Sequence, residues 1–183
     1  MNFVPVPKID GALTLQLTPH EDARGFLVEL WNKASVQGVE EWANFSPVQI
    51  NFVVSKSGSV RGIHRTKKNS PQRKVLTCIA GRVLDVLVDL RPESSTFRNI
   101  TRIDLDGANP TLILIPAGVG HGMQSLGGDS SVLYCFDRSY NPADELGINP
   151  LDETLGIEWE EPLVLSDKDA DAPNLNSYPL AEL

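Results

Sequence analysis

Apolar residues in this chain recur at every second position in short runs, and rarely at the spacing of a helix face. Leu13, Leu15 and Leu17 alternate with Thr14 and Gln16. Comparable runs at 26–31, 48–54, 60–64, 74–79, 83–90, 100–105, 111–115, 120–125 and 132–136 predict further strands. Gly58, Gly81, Gly107, Gly118 and the pair Gly127-Gly128 punctuate them. Many short strands with glycine and proline turns predict an all-β sandwich or barrel. Helical signal is confined to 33–42 and to a stretch near 142–146. Pro173 and Pro179 mark the C-terminal stretch as a docked or loose tail.

The alternation also assigns faces. In 83–90, Leu84, Val86, Val88 and Leu90 share one face, and Asp85 and Asp89 lie opposite with Val83 and Leu87. An aspartate in such a strand needs a partner. That partner can be structural, or a catalytic group that the aspartate orients. Lys74 shares a face with Leu76 and Cys78, and Tyr134 with Val132 and Phe136. Both can point into a barrel lumen. The alternatives are a lysine that snorkels to water and an ordinary core tyrosine.

The 183 residues suit one domain, 1–183, with a sizeable core. A net charge of -8 argues against nonspecific binding to nucleic acid or membranes. No apolar run reaches membrane-spanning length, and the first residues lack the features of a secretory leader, so a cytoplasmic protein is expected. Cys78 and Cys135 lie in separate apolar runs and are expected to be buried free thiols. Against the acidic background, residues 42–84 hold no Asp or Glu, yet include Lys56, Arg61, Arg65, Lys67, Lys68, Arg73, Lys74 and Arg82. Such a basic island suggests a site for an anion.

The histidines are His20, His64 and His121. His20 sits in a polar loop. His64 and His121 each follow a glycine, in Arg-Gly-Ile-His and Val-Gly-His-Gly. Two distant histidines fall short of a usual metal ligand set, so no metal is expected. A Gly-x-Ser-x-Gly elbow is absent, which argues against acyl transfer by a serine. General acid–base chemistry accounts better for a histidine, a tyrosine and a lysine on strands. Together they suit removal of a proton next to a carbonyl, with lysine stabilising the enolate oxygen.

An ordered set of motifs carries a resemblance. It runs through Asp22-Ala23-Arg24-Gly25-Phe26, Gln49-Ile50-Asn51, Arg61-Gly62-Ile63-His64 and Gln72-Arg73-Lys74. It continues through Asp85 to Arg91, Ser95-Thr96-Phe97, His121-Gly122, Tyr134, Tyr140-Asn141-Pro142, Trp159 and Ser166-Asp167-Lys168-Asp169. The chain thereby resembles the dTDP-4-dehydrorhamnose 3,5-epimerases and their relatives from about residue 22 to 173. The resemblance implies a cupin-type jelly roll with a few short helices, acting without metal or other cofactor. It implies a homodimer that exchanges N-terminal strands. His64 would be the base, oriented by Asp169. Tyr134 would be the acid on the opposite face of the sugar, and Lys74 would stabilise the enolate. Arg24, Phe26, Glu29, Gln49, Asn51, Arg61, Gln72, His121, Tyr140 and Lys168 would line the pocket for a dTDP-linked 4-keto-6-deoxysugar.

The chain departs from the family pattern at Arg65-Thr66-Lys67-Lys68, where an aromatic residue and Gln usually follow the histidine, and at His121-Gly122-Met123. Two further readings therefore stand beside epimerisation at C3 and C5. One is a single-carbon epimerase of an antibiotic-sugar pathway. The other is a non-catalytic nucleotide-sugar-binding cupin. In a flat strand Arg61 and His64 would face opposite ways, so a bulge near Gly62 is expected if both reach one ligand.

Overall fold

The computed structural model describes residues 2–179 and 183. The alternating runs become strands β1 (Val4–Pro5), β2 (Leu13–Gln16), β3 (His20–Asp22), β4 (Gly25–Leu27), β5 (Gln49–Ser55) and β6 (Val60–Thr66). They continue as β7 (Lys74–Asp89), β8 (Ile100–Asp106), β9 (Thr111–Ile115), β10 (Val119–Phe136) and β11 (Glu145–Gly147). These strands pair antiparallel. The main sheet runs β1-β2-β9-β7-β10-β6-β11, with β5 added to β10 and β8 to β7; β3 and β4 form a separate hairpin. This is the expected cupin-type jelly roll, wrapped over itself without closing its hydrogen-bonded path among the described residues.

Two pairs of expected strands are single long ones. Segments 74–79 and 83–90 lie on one strand of 16 residues, and 120–125 and 132–136 on one of 18. The chain bends without breaking. At Gly81 φ is +73°, and a Cβ there would lie 2.4 Å from the Asp129 carbonyl oxygen. The β7–β10 register shifts nearby, between Leu126 and Ser131. The start of β7 pairs with β9 and its second half with β8. Likewise the start of β10 pairs with β6 and its end with β5. Each long strand thus serves two layers, which a break at the glycines would prevent.

Other expectations change more. The strand expected at 26–31 ends at Leu27, because Val28, Leu30 and Trp31 turn to pack on a core beside β2 and β9. The helix expected at 33–42 shrinks to a 3₁₀ turn, Lys33–Val36, capped by the Asn32 side chain. Near 142–146 only Pro142–Asp144 is helical, and Glu145 already belongs to β11. The tail is docked. It carries a short helix, α1 (Asp167–Ala170), and a 3₁₀ turn, Leu175–Ser177.

Three apolar clusters hold these layers. Leu76, Cys78, Leu87, Ile113, Met123, Val132 and Tyr134 meet in the lumen. Trp42, Phe45, Val75, Leu114 and Cys135 pack outside one layer under the N-terminal segments. Ile63, Val86, Leu90, Ile148 and Leu175 pack outside the other, under the C-terminal segments. Both cysteines are buried and free. On β5 and just before it, Val48, Ile50, Phe52 and Val54 are each more than half exposed and share one face. Together they form an exposed apolar stripe.

Candidate active site

The lumen opens as a cavity of about 350 Å³, within the range of small-molecule sites. Cross-strand pairing sets its walls. Lys74 pairs with Phe136, Tyr134 with both Leu76 and Asn51, and His121 with His64. On β10, His121 and Met123 are two residues apart, whereas their partners on β6, His64 and Arg61, are three apart. The extra residue is a β-bulge, and it turns both Arg61 and His64 to the cavity. Gly62 makes it possible. Its φ is +101°, and a Cβ would lie 2.4 Å from the His121 carbonyl oxygen.

His64 is held from α1. Its Nε2 lies 2.6 Å from Asp169 Oδ1, and Asp169 is buried at the start of a helix capped by the Ser166 side chain. Burial alone would raise the Asp169 carboxyl. The hydrogen bond and charge of His64, with help from Ser166 and the Gly62 amide, outweigh it and hold Asp169 below the usual carboxylate range. With Nε2 engaged, Nδ1 is the ring atom left for chemistry. It lies 3.7 Å from Glu145 Oε1.

A second pair faces the same cavity. His121 Nε2 lies 2.7 Å from Asp85 Oδ2, with both side chains buried. The other oxygen, Asp85 Oδ1, is buried without a partner. The His121 ring meets Tyr134 edge-on at 5.7 Å, and Tyr134 stacks on Phe136 at 5.9 Å. Burial, and then the charge of Asp85, push the Tyr134 hydroxyl far above the ordinary tyrosine range, so it stays protonated. Lys74 is also buried, and its Nζ donates to the His64 carbonyl at 3.0 Å. Burial pulls its ammonium down to about 8, against the attraction of Glu145 and Asp85.

At the rim, Glu145 accepts hydrogen bonds from Lys168 and from the Tyr140 hydroxyl. Of the expected site residues, His64, Lys74, Tyr134, Asp169, Asn51, Arg61, Gln72, His121, Tyr140 and Lys168 line this cavity. Gln49 braces it from behind, donating to Asn51 and accepting from the Tyr140 amide. Arg24, Phe26 and Glu29 do not reach it. Arg24 and Phe26 sit on the exposed β3–β4 hairpin, where Arg24 pairs with Asp22. Glu29 borders a separate small cavity beside the Lys33–Val36 turn.

The basic island divides. Arg61, Arg65 and Lys74 line the cavity. Lys56 pairs with Asp129, Lys68 with Glu93, and Arg73 with Asp137 while its guanidinium lies over Trp42 and Phe45. Arg65 is buried and donates to the carbonyls of Leu90, Gly118 and Leu183. One anion site built from the whole island is therefore not what forms.

Sequence reasoning missed Glu145 and Arg138 as lining residues. Glu145 follows a turn motif in an acid-rich stretch, where one carboxylate has nothing to single it out. Among the described residues no three His, Cys, Asp or Glu side chains are grouped to hold a metal ion. The arrangement presents an accepting imidazole, a protonated phenol and a buried ammonium in one cavity. That set can remove a proton at carbon and return one.

Known proteins resemble this chain in sequence and fold. The profile of the dTDP-4-dehydrorhamnose 3,5-epimerase family matches residues 7–177. A dTDP-4-dehydrorhamnose 3,5-epimerase of Streptomyces griseus is 36% identical over 171 residues, covering 91% of this chain and 84% of the relative. A dTDP-4-dehydro-6-deoxyglucose 3-epimerase of Streptomyces bikiniensis is also 36% identical, over 169 residues, covering 91% and 86%. The crystal structure of a dTDP-6-deoxy-D-glucose-3,5-epimerase from Legionella pneumophila, in complex with dTDP-4-keto-L-rhamnose, superimposes with a TM-score of 0.91. It is 32% identical and covers 100% of this chain and 96% of that one.

Proposed function

The chain belongs to the dTDP-4-dehydrorhamnose 3,5-epimerase family, and on that premise we propose that it epimerises dTDP-4-keto-6-deoxyglucose at C3 and C5. The observation that carries this reading is the placement of His64, Tyr134 and Lys74 around one cavity. His64 Nδ1 takes a proton from the carbon next to the C4 ketone. The electron pair moves to the ketone oxygen, and Lys74 stabilises the resulting enolate. Tyr134 then returns a proton from the other face, which inverts the carbon. A hydrogen next to a ketone is far less acidic than an imidazolium, so the step is steeply uphill in water. One fixed donor at the enolate oxygen is worth roughly 3 kcal/mol.

Arg61, Gln72, Asn51 and His121 hold the sugar and diphosphate in this reading, while Tyr140 and Lys168 receive the nucleotide at the rim. The protein acts as one domain in the cytoplasm and needs no metal. No helix among the described residues is long and apolar enough to cross a membrane. The functional unit is a homodimer joined through the exposed face of Val48, Ile50, Phe52 and Val54. Its β3–β4 hairpin carries Arg24 and Phe26, with Glu29 close behind, to the partner's cavity. Phe52→Asp should yield monomers by analytical ultracentrifugation; a dimer that survives it rejects this interface.

The second reading is a single-carbon epimerase. Thr66 favours it, because its Oγ1 is buried without a partner in the cavity wall where the family usually has Gln. The test is incubation with dTDP-4-keto-6-deoxyglucose in deuterated water, followed by NMR. Deuterium at C3 and C5 supports the main reading, and deuterium at one carbon the second. Tight binding without exchange rejects both in favour of a binder.

A further inference from the structure

Inversion between two different groups leaves the enzyme changed. After one inversion His64 carries an extra proton and Tyr134 lacks one. Neither can act again until His64 loses its proton and Tyr134 regains one, so each needs a route to water. His64 Nε2 is closed off by buried Asp169. Lys74, bound to the His64 carbonyl, is a cation and cannot accept. Among the described residues the carboxylate within 4 Å of Nδ1 is Glu145, whose Oε1 lies 3.7 Å away.

Glu145 also reaches the surface. Its second oxygen is held by Lys168 and by the Tyr140 hydroxyl, both at the cavity mouth and both more than half exposed. Asp144, the other carboxylate at this rim, is engaged by the Asn141 side chain. The carboxylate of Glu145 therefore spans the distance between the imidazole and solvent.

We propose that Glu145 is the proton exit of the active site. Resting on His64 as the base, the step runs as follows. As His64 becomes charged, the 3.7 Å gap to Glu145 closes to hydrogen-bond distance; the proton moves from Nδ1 to Oε1 and then to water, while the Tyr134 phenolate takes a proton from water. One substrate hydrogen is exchanged for one solvent hydrogen, and nothing is oxidised or reduced. Burial raises the Glu145 carboxyl, but the Lys168 hydrogen bond and the charge of His64 outweigh it and keep it ionised. A substrate diphosphate that draws Lys168 away weakens that hold and makes the carboxylate a better acceptor when it is needed.

The experiment is Glu145→Gln, followed by rapid quench and steady-state turnover on dTDP-4-keto-6-deoxyglucose. A lost proton exit spares the first inversion, giving a burst of one inverted carbon per enzyme near the wild-type rate. Later inversions slow about a hundredfold, the lower end of what a lost proton-transfer group costs. Added imidazole restores them in a concentration-dependent way. Steady-state turnover at the wild-type rate overturns the proposal. So does a lost burst with raised KM and no imidazole rescue, which is what a role confined to holding Tyr140 and Lys168 predicts. If Glu145→Gln does not fold, Glu145→Asp is read by the same criteria. Exchange that survives in His64→Ala overturns the base assignment and with it the function, a failure distinct from a missing burst in Glu145→Gln.

Discussion

Two histidine–carboxylate pairs share one cavity, yet their surroundings differ. His64 is a strand residue paired with an aspartate from α1, far away in sequence, and its side chain is 27% exposed. His121 and Asp85 sit on neighbouring strands, and their side chains are 6% and 1% exposed. In the first pair both carboxylate oxygens are engaged, one by His64 and one by the Gly62 amide at the edge of range. In the second, Asp85 Oδ1 is orphaned. Identical chemistry at 2.6 and 2.7 Å therefore does different things. The accessible pair can exchange a proton with substrate. The buried pair fixes a ring beside Tyr134 and places negative charge behind it. Exposure of the ring separates them, since hydrogen-bond length does not.

The sharpest way to break the comparison is to remove each ring. His64→Ala should lower deuterium exchange about a thousandfold or more, with little change in thermal stability. His121→Ala should cost far less in exchange. Equal losses would mean that both pairs act as bases.

Removing the buried carboxylate should register first in stability. Asp85→Asn breaks a fully buried pair, so a loss of about 3–5 kcal/mol is expected in denaturant unfolding. A variant as stable as the parent would show that Asp85 contributes nothing to the fold.

Lys74 sharpens the contrast from the other side. Its ammonium is lowered from 10.5 to about 8 by burial, so the unfolded chain binds more protons between those values. Stability contributed by this group must therefore rise with pH from about 8 to 10.5, and below that the buried charge is a penalty. Lys74→Met should raise stability at pH 7 by about 3 kcal/mol, taking 1.36 kcal/mol per unit, while activity falls. Loss of stability in that variant would sink the argument.

The smallest effect concerns Asp169. Its carboxyl is held below the usual range in the folded protein. The stability it contributes is present above the unfolded value and is lost as pH falls through the folded one. Asp169→Asn should flatten the acid side of the stability–pH curve. If the curve is unchanged, the His64–Asp169 contact is not an ion pair in solution.

Much of this molecule is legible in the chain alone. The alternation marks the strands, because side chains with a period of two must choose between lumen and outside. Leu76, Cys78 and Lys74 share a face in sequence and share one in space. Where the reading failed, local pattern had been overruled from a distance. Gly81 looked like a break, and β7 runs through it because its two halves pair with different strands. α1 has four residues, too few to show a period. Val28 to Trp31 read as strand but are claimed by a core beside β2 and β9.

The site divides in the same way. The resemblance to the family singles out His64, Lys74, Tyr134 and Asp169, whose types suit proton transfer at carbon. Sequence alone did not place Glu145 beside His64, or leave the β3–β4 hairpin outside its own cavity. Nor did it scatter the basic island over separate ion pairs. Those outcomes depend on strand register, on the bulge at Gly62 and on the docking of α1. These are properties of residues distant in the chain, and only packing brings them together.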